Sequence, residues 1–192
     1  RLMRRAVRAA LIAALLVALT AACAGVEEGG TDGYISGDGT ITTLDPADRQ
    51  KAPELAGVDL DGEEISSADF AGQTIVVNLW GSWCPPCRKE MPMLKEVSEQ
   101  YADKNVQFLG LLTQDTPAAA KAFNDKIGIT YPSIVDDAGE NQLAFADSLP
   151  SQAVPTTWIL DEKGRVAARI LDPELDASTL ADLIEYVRKS TQ

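Results

Sequence analysis

Cys84 and Cys87 are separated by two residues in the run Trp80-Gly81-Ser82-Trp83-Cys84-Pro85-Pro86-Cys87-Arg88-Lys89-Glu90-Met91-Pro92, which follows a β-branched apolar stretch and opens a segment of helical spacing. Two thiols so placed at a strand-to-helix junction can close a small disulfide, and a thiolate at a helix N-terminus is stabilised by the dipole and the free amides. The predicted chemistry is exchange of thiols for disulfides. Other uses of a cysteine pair fail on composition. Zinc takes four ligands, and beyond this pair the chain has only Cys23 and no histidine. Covalent haem attachment requires histidine directly after the second cysteine, where Arg88 stands. The lack of histidine also excludes a Cys-His hydrolase and an imidazole copper site. A structural disulfide stays open, although a two-residue loop removes little chain entropy and makes a weak staple.

Access orders the two sulfurs. Cys84, at the helix mouth, is expected to be the exposed sulfur that attacks or is attacked. Cys87, one turn in and facing protein, is expected to resolve the mixed disulfide. Pro85 and Pro86 carry no amide hydrogen, so a Cys84 thiolate has fewer backbone donors than a helix start normally offers. Strong oxidants are strong because their reduced form is stabilised, so weak thiolate stabilisation points toward the reducing end of the scale.

The Trp-Cys-x-x-Cys core, Glu90 three residues and Pro92 five residues after Cys87, and Val154-Pro155-Thr156 farther on resemble the thioredoxin superfamily. Within it they resemble the TlpA-like, ResA-like branch of extracytoplasmic thiol-disulfide oxidoreductases. The resemblance implies protein disulfide substrates, apocytochrome c among them, as in cytochrome c maturation. It also implies electrons arriving from a membrane thiol transporter of the CcdA/DsbD type. Sulfur exchange calls for no cofactor. Pro155 is then the candidate cis-proline, with the Val154 backbone pairing with an extended substrate; a trans proline starting a strand is the alternative. ResA-like proteins carry a glutamate at the place of Glu90, as proton acceptor or as a brake on thiolate formation, yet the residue reads equally as a first-turn acid favoured by the dipole. Asn78 stands where thioredoxins have a buried aspartate, and it cannot take a proton, which shifts acid-base duty to Glu90 or water. Trp83 either covers one side of the disulfide or is a rim aromatic. Two other functions compete: an oxidase or isomerase for secreted proteins, and a lipoprotein module that binds peptides with idle cysteines.

The elements that must hold these residues follow from periodicity. Leu55, Val58 and Leu60 before Asp61-Gly62, with Ile65 after it, predict a hairpin. A continuous apolar run predicts a buried strand over 75–80, and Met91, Leu94, Val97 and Tyr101 give one face of a helix over 85–104. A parallel strand over 106–112, a helix over 115–126 capped by Thr116, a strand over 131–135 and a helix over 140–149 follow. Strands over 156–160 and 166–170 flank a turn, and a last helix covers 177–189. This is an α/β fold, a thioredoxin-like mixed sheet with helices on both faces, an N-terminal hairpin and a central helix-strand insertion.

Formal net charge is −12, which repels phosphate and argues against nucleic acid as a partner. Four arginines precede an apolar stretch over 9–19, too short to span a bilayer but suited to a secretory signal, and Thr20-Ala21-Ala22-Cys23 resembles a lipobox. Residues 1–23 are read as a signal peptide whose Cys23 is lipidated, or else as an uncleaved anchor; both place the domain outside the cytoplasm, tethered to the membrane. Residues 24–52 read as a Gly-rich, acidic spacer, with Tyr34, Ile35, Ile41 and Leu44 as apolar exceptions, and 53–192 as the domain.

Overall fold

The computed structural model describes residues 40–191. Cys23, the leader 1–23 and the spacer as far as residue 39 lie outside the described residues. All seven residues of Thr74–Trp80 are buried, and they form β4, the strand around which the sheet is assembled. After β4 the chain enters helix α1 (Pro85–Tyr101) and returns as β5 (Val106–Leu112), parallel to β4 as a helical crossover demands. On the other side β4 pairs antiparallel with β7 (Thr156–Leu160), which forms a hairpin with β8 (Val166–Ile170). A short β6 (Ser133–Val135) extends the parallel side, and β1 (Ile41–Thr43) closes the other edge. The order across the six-stranded sheet is β1-β8-β7-β4-β5-β6. The predicted hairpin is present as a separate pair, β2 (Ala56–Val58) with β3 (Glu64–Ser66).

One face of the sheet is covered by the α-helices. Met91, Leu94, Val97 and Tyr101 of α1 and Leu180, Ile184 and Val187 of α3 (Ala177–Thr191) pack with Val76, Trp80, Phe108 and Ile159. Ala120 of α2 (Pro117–Ile127) joins the same core. The opposite face buries Val77, Leu79, Leu109, Leu111 and Trp158 under Leu44, Leu55 and two 3-10 turns, Ser67–Phe70 and Gln142–Phe145.

Two expectations change. The spacer does not extend to residue 52: Ile41 packs into the first core and Leu44 into the second, and β1 pairs with β8 from Ile41↔Ile170 to Thr43↔Ala168. A three-residue edge strand is too short to show periodicity, so a polar composition hid it. The expected helix over 140–149 is only the 3-10 turn Gln142–Phe145. There the buried Asp136 carboxylate takes the amides of Asn141 (3.0 Å) and Gln142 (3.1 Å), and Phe145 stacks on Trp158 with ring centroids 4.1 Å apart. One anchored aromatic replaces the repeating apolar face that a longer helix needs.

Candidate active site

The carboxyl ends of β4 and β5, the start of α1 and the start of β7 meet at one edge of the sheet. The turn from β4 into α1 is held by Asp115, whose carboxylate accepts the Ser82 amide at 2.6 Å and the Thr116 amide at 2.8 Å. A Cβ on Gly81 would lie 2.4 Å from Trp83 Nε1, so glycine there lets the indole lie against the turn. The Trp83 indole donates to the Thr113 carbonyl at 3.1 Å and remains half exposed on the rim.

Cys84 is the N-cap of α1 and is joined to Cys87 in a disulfide, with Cα atoms 5.3 Å apart. Pro85 and Pro86 occupy the first turn, and the Cys87 amide donates to Cys84 Sγ at 3.2 Å. Val154 O lies 3.8 Å from Cys84 Sγ, and the Val154–Pro155 peptide bond is cis. The expected exposure of Cys84 is corrected: the residue is 1% exposed, and Cys87 is 0% exposed. The loop before β7 comes over the first cysteine, with Val154 O beside its sulfur.

Glu90, one turn beyond Cys87, is buried on α1 beneath β4. Asn78 Nδ2 donates to Glu90 Oε1 at 2.8 Å and to Thr157 Oγ1 at 3.1 Å, across the register pair Asn78↔Thr157. Burial pushes the Glu90 carboxyl up to about 7, with the Asn78 hydrogen bond opposing the rise. The Tyr131 hydroxyl is driven above the ordinary tyrosine range by burial and then by the Glu90 charge. Neither the Tyr131 hydroxyl nor Asn78 Oδ1 has a hydrogen-bond partner among the described residues. No group of three or more Asp, Glu or Cys side chains among these residues is arranged to hold a metal.

A family model described as Redoxin matches residues 47–184. The chain belongs to the Redoxin family. Among its relatives, the thiol-disulfide oxidoreductase ResA of Bacillus thuringiensis subsp. konkukian (strain 97-27) is 32% identical over 142 residues, covering 74% of this chain and 78% of that protein. Among solved structures, a DsbF homologue from Corynebacterium diphtheriae superposes with a TM-score of 0.70 at 34% identity, covering 80% of this chain and 96% of that one. A secreted thiol-disulfide isomerase from Corynebacterium glutamicum gives 0.68 at 33% identity, covering 82% and 99%. This Redoxin-family chain is a ResA-like thiol-disulfide oxidoreductase of thioredoxin fold, and Cys84–Cys87 is its redox-active pair.

Cys84, Cys87, Val154 and Pro155 come together as one cluster, and Glu90 joins Asn78 one turn deeper. Trp83 stands at the rim. Thr113, Asp115, Thr157 and Tyr131 escaped the sequence reading. Asp115 and Thr113 carried a usable signal, since the carboxyl end of a strand parallel to β4 must lie beside the helix mouth. Thr157 and Tyr131 carried none.

Proposed function

We propose that the protein is an extracytoplasmic disulfide reductase, tethered to the membrane through Cys23, that acts on protein disulfides of the apocytochrome c Cys-x-x-Cys-His kind. A membrane thiol transporter of the CcdA/DsbD type would return it to the dithiol form. One observation carries the reading: the first amide that α1 offers to Cys84 Sγ is that of Cys87, because Pro85 and Pro86 have none, while a buried carboxyl at about 7 sits one turn beyond. A thiolate so sparsely stabilised at a helix N-terminus favours the disulfide form of the protein, and therefore a reducing couple.

In this reading the Cys84 thiolate attacks one sulfur of the substrate disulfide. The Cys84–substrate bond forms, the substrate S–S bond breaks, and the first substrate thiolate leaves and takes a proton. The Val154 backbone holds the substrate chain in extended form, and Trp83 flanks the exchanging sulfurs. Glu90 accepts the Cys87 proton, Cys87 attacks Cys84 Sγ, and the second substrate thiolate leaves. Two electrons pass from the protein dithiol to the substrate, and the Cys84–Cys87 disulfide remains. Location outside the cytoplasm is supported by the charged and apolar leader and by the secreted neighbour from Corynebacterium glutamicum.

The test is equilibration with glutathione or dithiothreitol couples. A reductase lies nearer the thioredoxin value of about −270 mV than the DsbA value of about −120 mV. The name of that neighbour supports a second reading, an isomerase of secreted proteins. A potential at the oxidising end, together with reactivation of a protein carrying scrambled disulfides, would establish the second reading and remove the first.

A further inference from the structure

A groove of about 600 Å³ lies beside the two loops that flank the exchange site. One wall ends in Ser151 and Gln152, and Gln152 is two residues from Val154, hence at most about 7 Å of chain from the backbone beside Cys84. Another wall is Gln114, next in the chain to Thr113, whose carbonyl anchors Trp83. The 3-10 turn Gln142–Phe145 closes the groove and presents Leu143, at 69% the most exposed large apolar side chain among the described residues. No charged side chain lines the groove, although the chain as a whole carries −12.

The walls are braced rather than loose. Gln142 Nε2 donates to the Ser151 carbonyl at 2.9 Å, tying the 3-10 turn to the loop before β7. Ser151 Oγ accepts the Ala153 amide at 3.1 Å and lies 2.8 Å from Thr156 Oγ1, so the strap that carries Val154 is held from inside. Gln114 sits at φ 51°, a left-handed conformation uncommon outside glycine. Such positions cluster at ligand-holding sites.

We propose that this groove is a substrate subsite that takes an uncharged, apolar side chain of the polypeptide substrate, two or three residues from the cysteine exchanging with Cys84. The proposal rests on the exchange reading in which Cys84 meets the substrate sulfur. The occupant is a polypeptide because Gln152 and Gln114 bring the groove beside the loops that flank the site where protein disulfides are exchanged. An extended chain laid along Val154 sends alternate side chains to one side, which brings a residue near the target cysteine over Leu143. The Gln114 and Gln152 amides pair with substrate backbone groups, while the Gln142 amide and the Ser151 hydroxyl brace the walls. No side chain of the lining offers a cation to an acidic substrate segment, the Arg169 guanidinium donates to the Pro150 carbonyl at 2.7 Å, and the acidic body repels such a segment.

The experiment uses the reduced protein in single-turnover reactions with disulfide peptides that carry Leu or Glu at each of the three positions on either side of the attacked cysteine. The expected wild-type result is a preference for Leu of about tenfold at a position two or three residues from that cysteine. Leu143→Glu should abolish the preference and Leu143→Lys should turn it toward Glu, while the rate with bis(2-hydroxyethyl) disulfide, which has no flanking residues, stays unchanged in both variants. The proposal is overturned by a wild type indifferent to Leu and Glu, by a preference that survives Leu143→Glu, or by an equal loss with the small disulfide. A wild-type protein that reduces neither peptide nor small disulfide would overturn the exchange reading itself, a failure distinct from peptide reduction without side-chain preference.

Discussion

Glu90 is where residue chemistry and stability meet. Its carboxyl rises from 4.5 to about 7 because the fold desolvates it, so the folded protein binds this proton more tightly than the unfolded chain does. The stabilising contribution is therefore fully present below pH 4.5 and is lost as pH rises through about 7, a swing of about 3 kcal/mol. Denaturant titrations of the oxidised protein should show that decline, and Glu90→Gln should flatten it. The same substitution should lower the Cys84 thiol pKa, because it removes a negative charge near the pair, while slowing reduction of a Cys-x-x-Cys-His peptide. An innocent helix acid would move neither quantity. Cys84 should still be alkylated before Cys87 in the reduced protein, since its sulfur receives the helix-terminal amide. Its burial adds a size dependence: iodoacetamide should outpace a bulky maleimide by a wide margin, and equal labelling of the two cysteines would refute the order.

Strand packing sets where the site's parts stand. Gly110 of β5 lies opposite Asn78 of β4 and Ser133 of β6, so the backbone there is flanked on both sides. A Cβ on Gly110 would come within 2.2 Å of Ser133 Oγ and 2.7 Å of Trp80 Nε1, atoms that hydrogen-bond to each other at 3.3 Å. Gly110→Ala should cost about 1–3 kcal/mol in unfolding free energy by overpacking, and Ser133→Gly in the same chain should recover part of it. Full stability in the single variant would show that β6 yields easily. The helix-strand insertion, α2 and β6, thereby acts on the site through packing under Trp80 and through Tyr131 between them, whose hydroxyl feels the Glu90 charge.

At the scale of the whole molecule, residues 40–52 join the two ends of the domain. Arg49 has a fully buried side chain that pairs with Asp161 at 3.4 Å and donates to the Leu44 carbonyl at 3.1 Å, Ser190 Oγ at 2.6 Å and Thr191 Oγ1 at 3.0 Å. It fastens the strap after β1 to the β7–β8 turn and to the end of α3. Asp161 also holds Arg165 at 2.8 Å, so loss of Arg49 leaves the buried carboxylate partly compensated. Arg49→Met should destabilise by about 3 kcal/mol in urea unfolding. Truncation before residue 53 should cost more, because it also strips β1 from β8; a truncated chain of unchanged stability would restore the reading of this segment as spacer. Among the described residues no helix is long and apolar enough to cross a membrane.

Spacing and composition by themselves narrowed the chemistry to a disulfide, redox-active or structural. Cys84 and Cys87 are separated by two residues, close enough to bridge, and a chain without histidine has few other uses for them. Periodicity likewise determined β4, α1, β5 and the β7–β8 hairpin, whose apolar runs are long enough to declare a period. Tertiary structure decided the rest. Glu90 owes its raised pKa to burial under β4, where Asn78 and Thr157 converge from strands 79 residues apart in sequence. Cys84 owes its burial to a loop 70 residues downstream, since Val154 O is 3.8 Å from its sulfur. The part of β1 in the sheet and the groove under Leu143 were equally illegible, because pairing partners and desolvation are set by residues remote in the chain and leave no local pattern at the positions they act on.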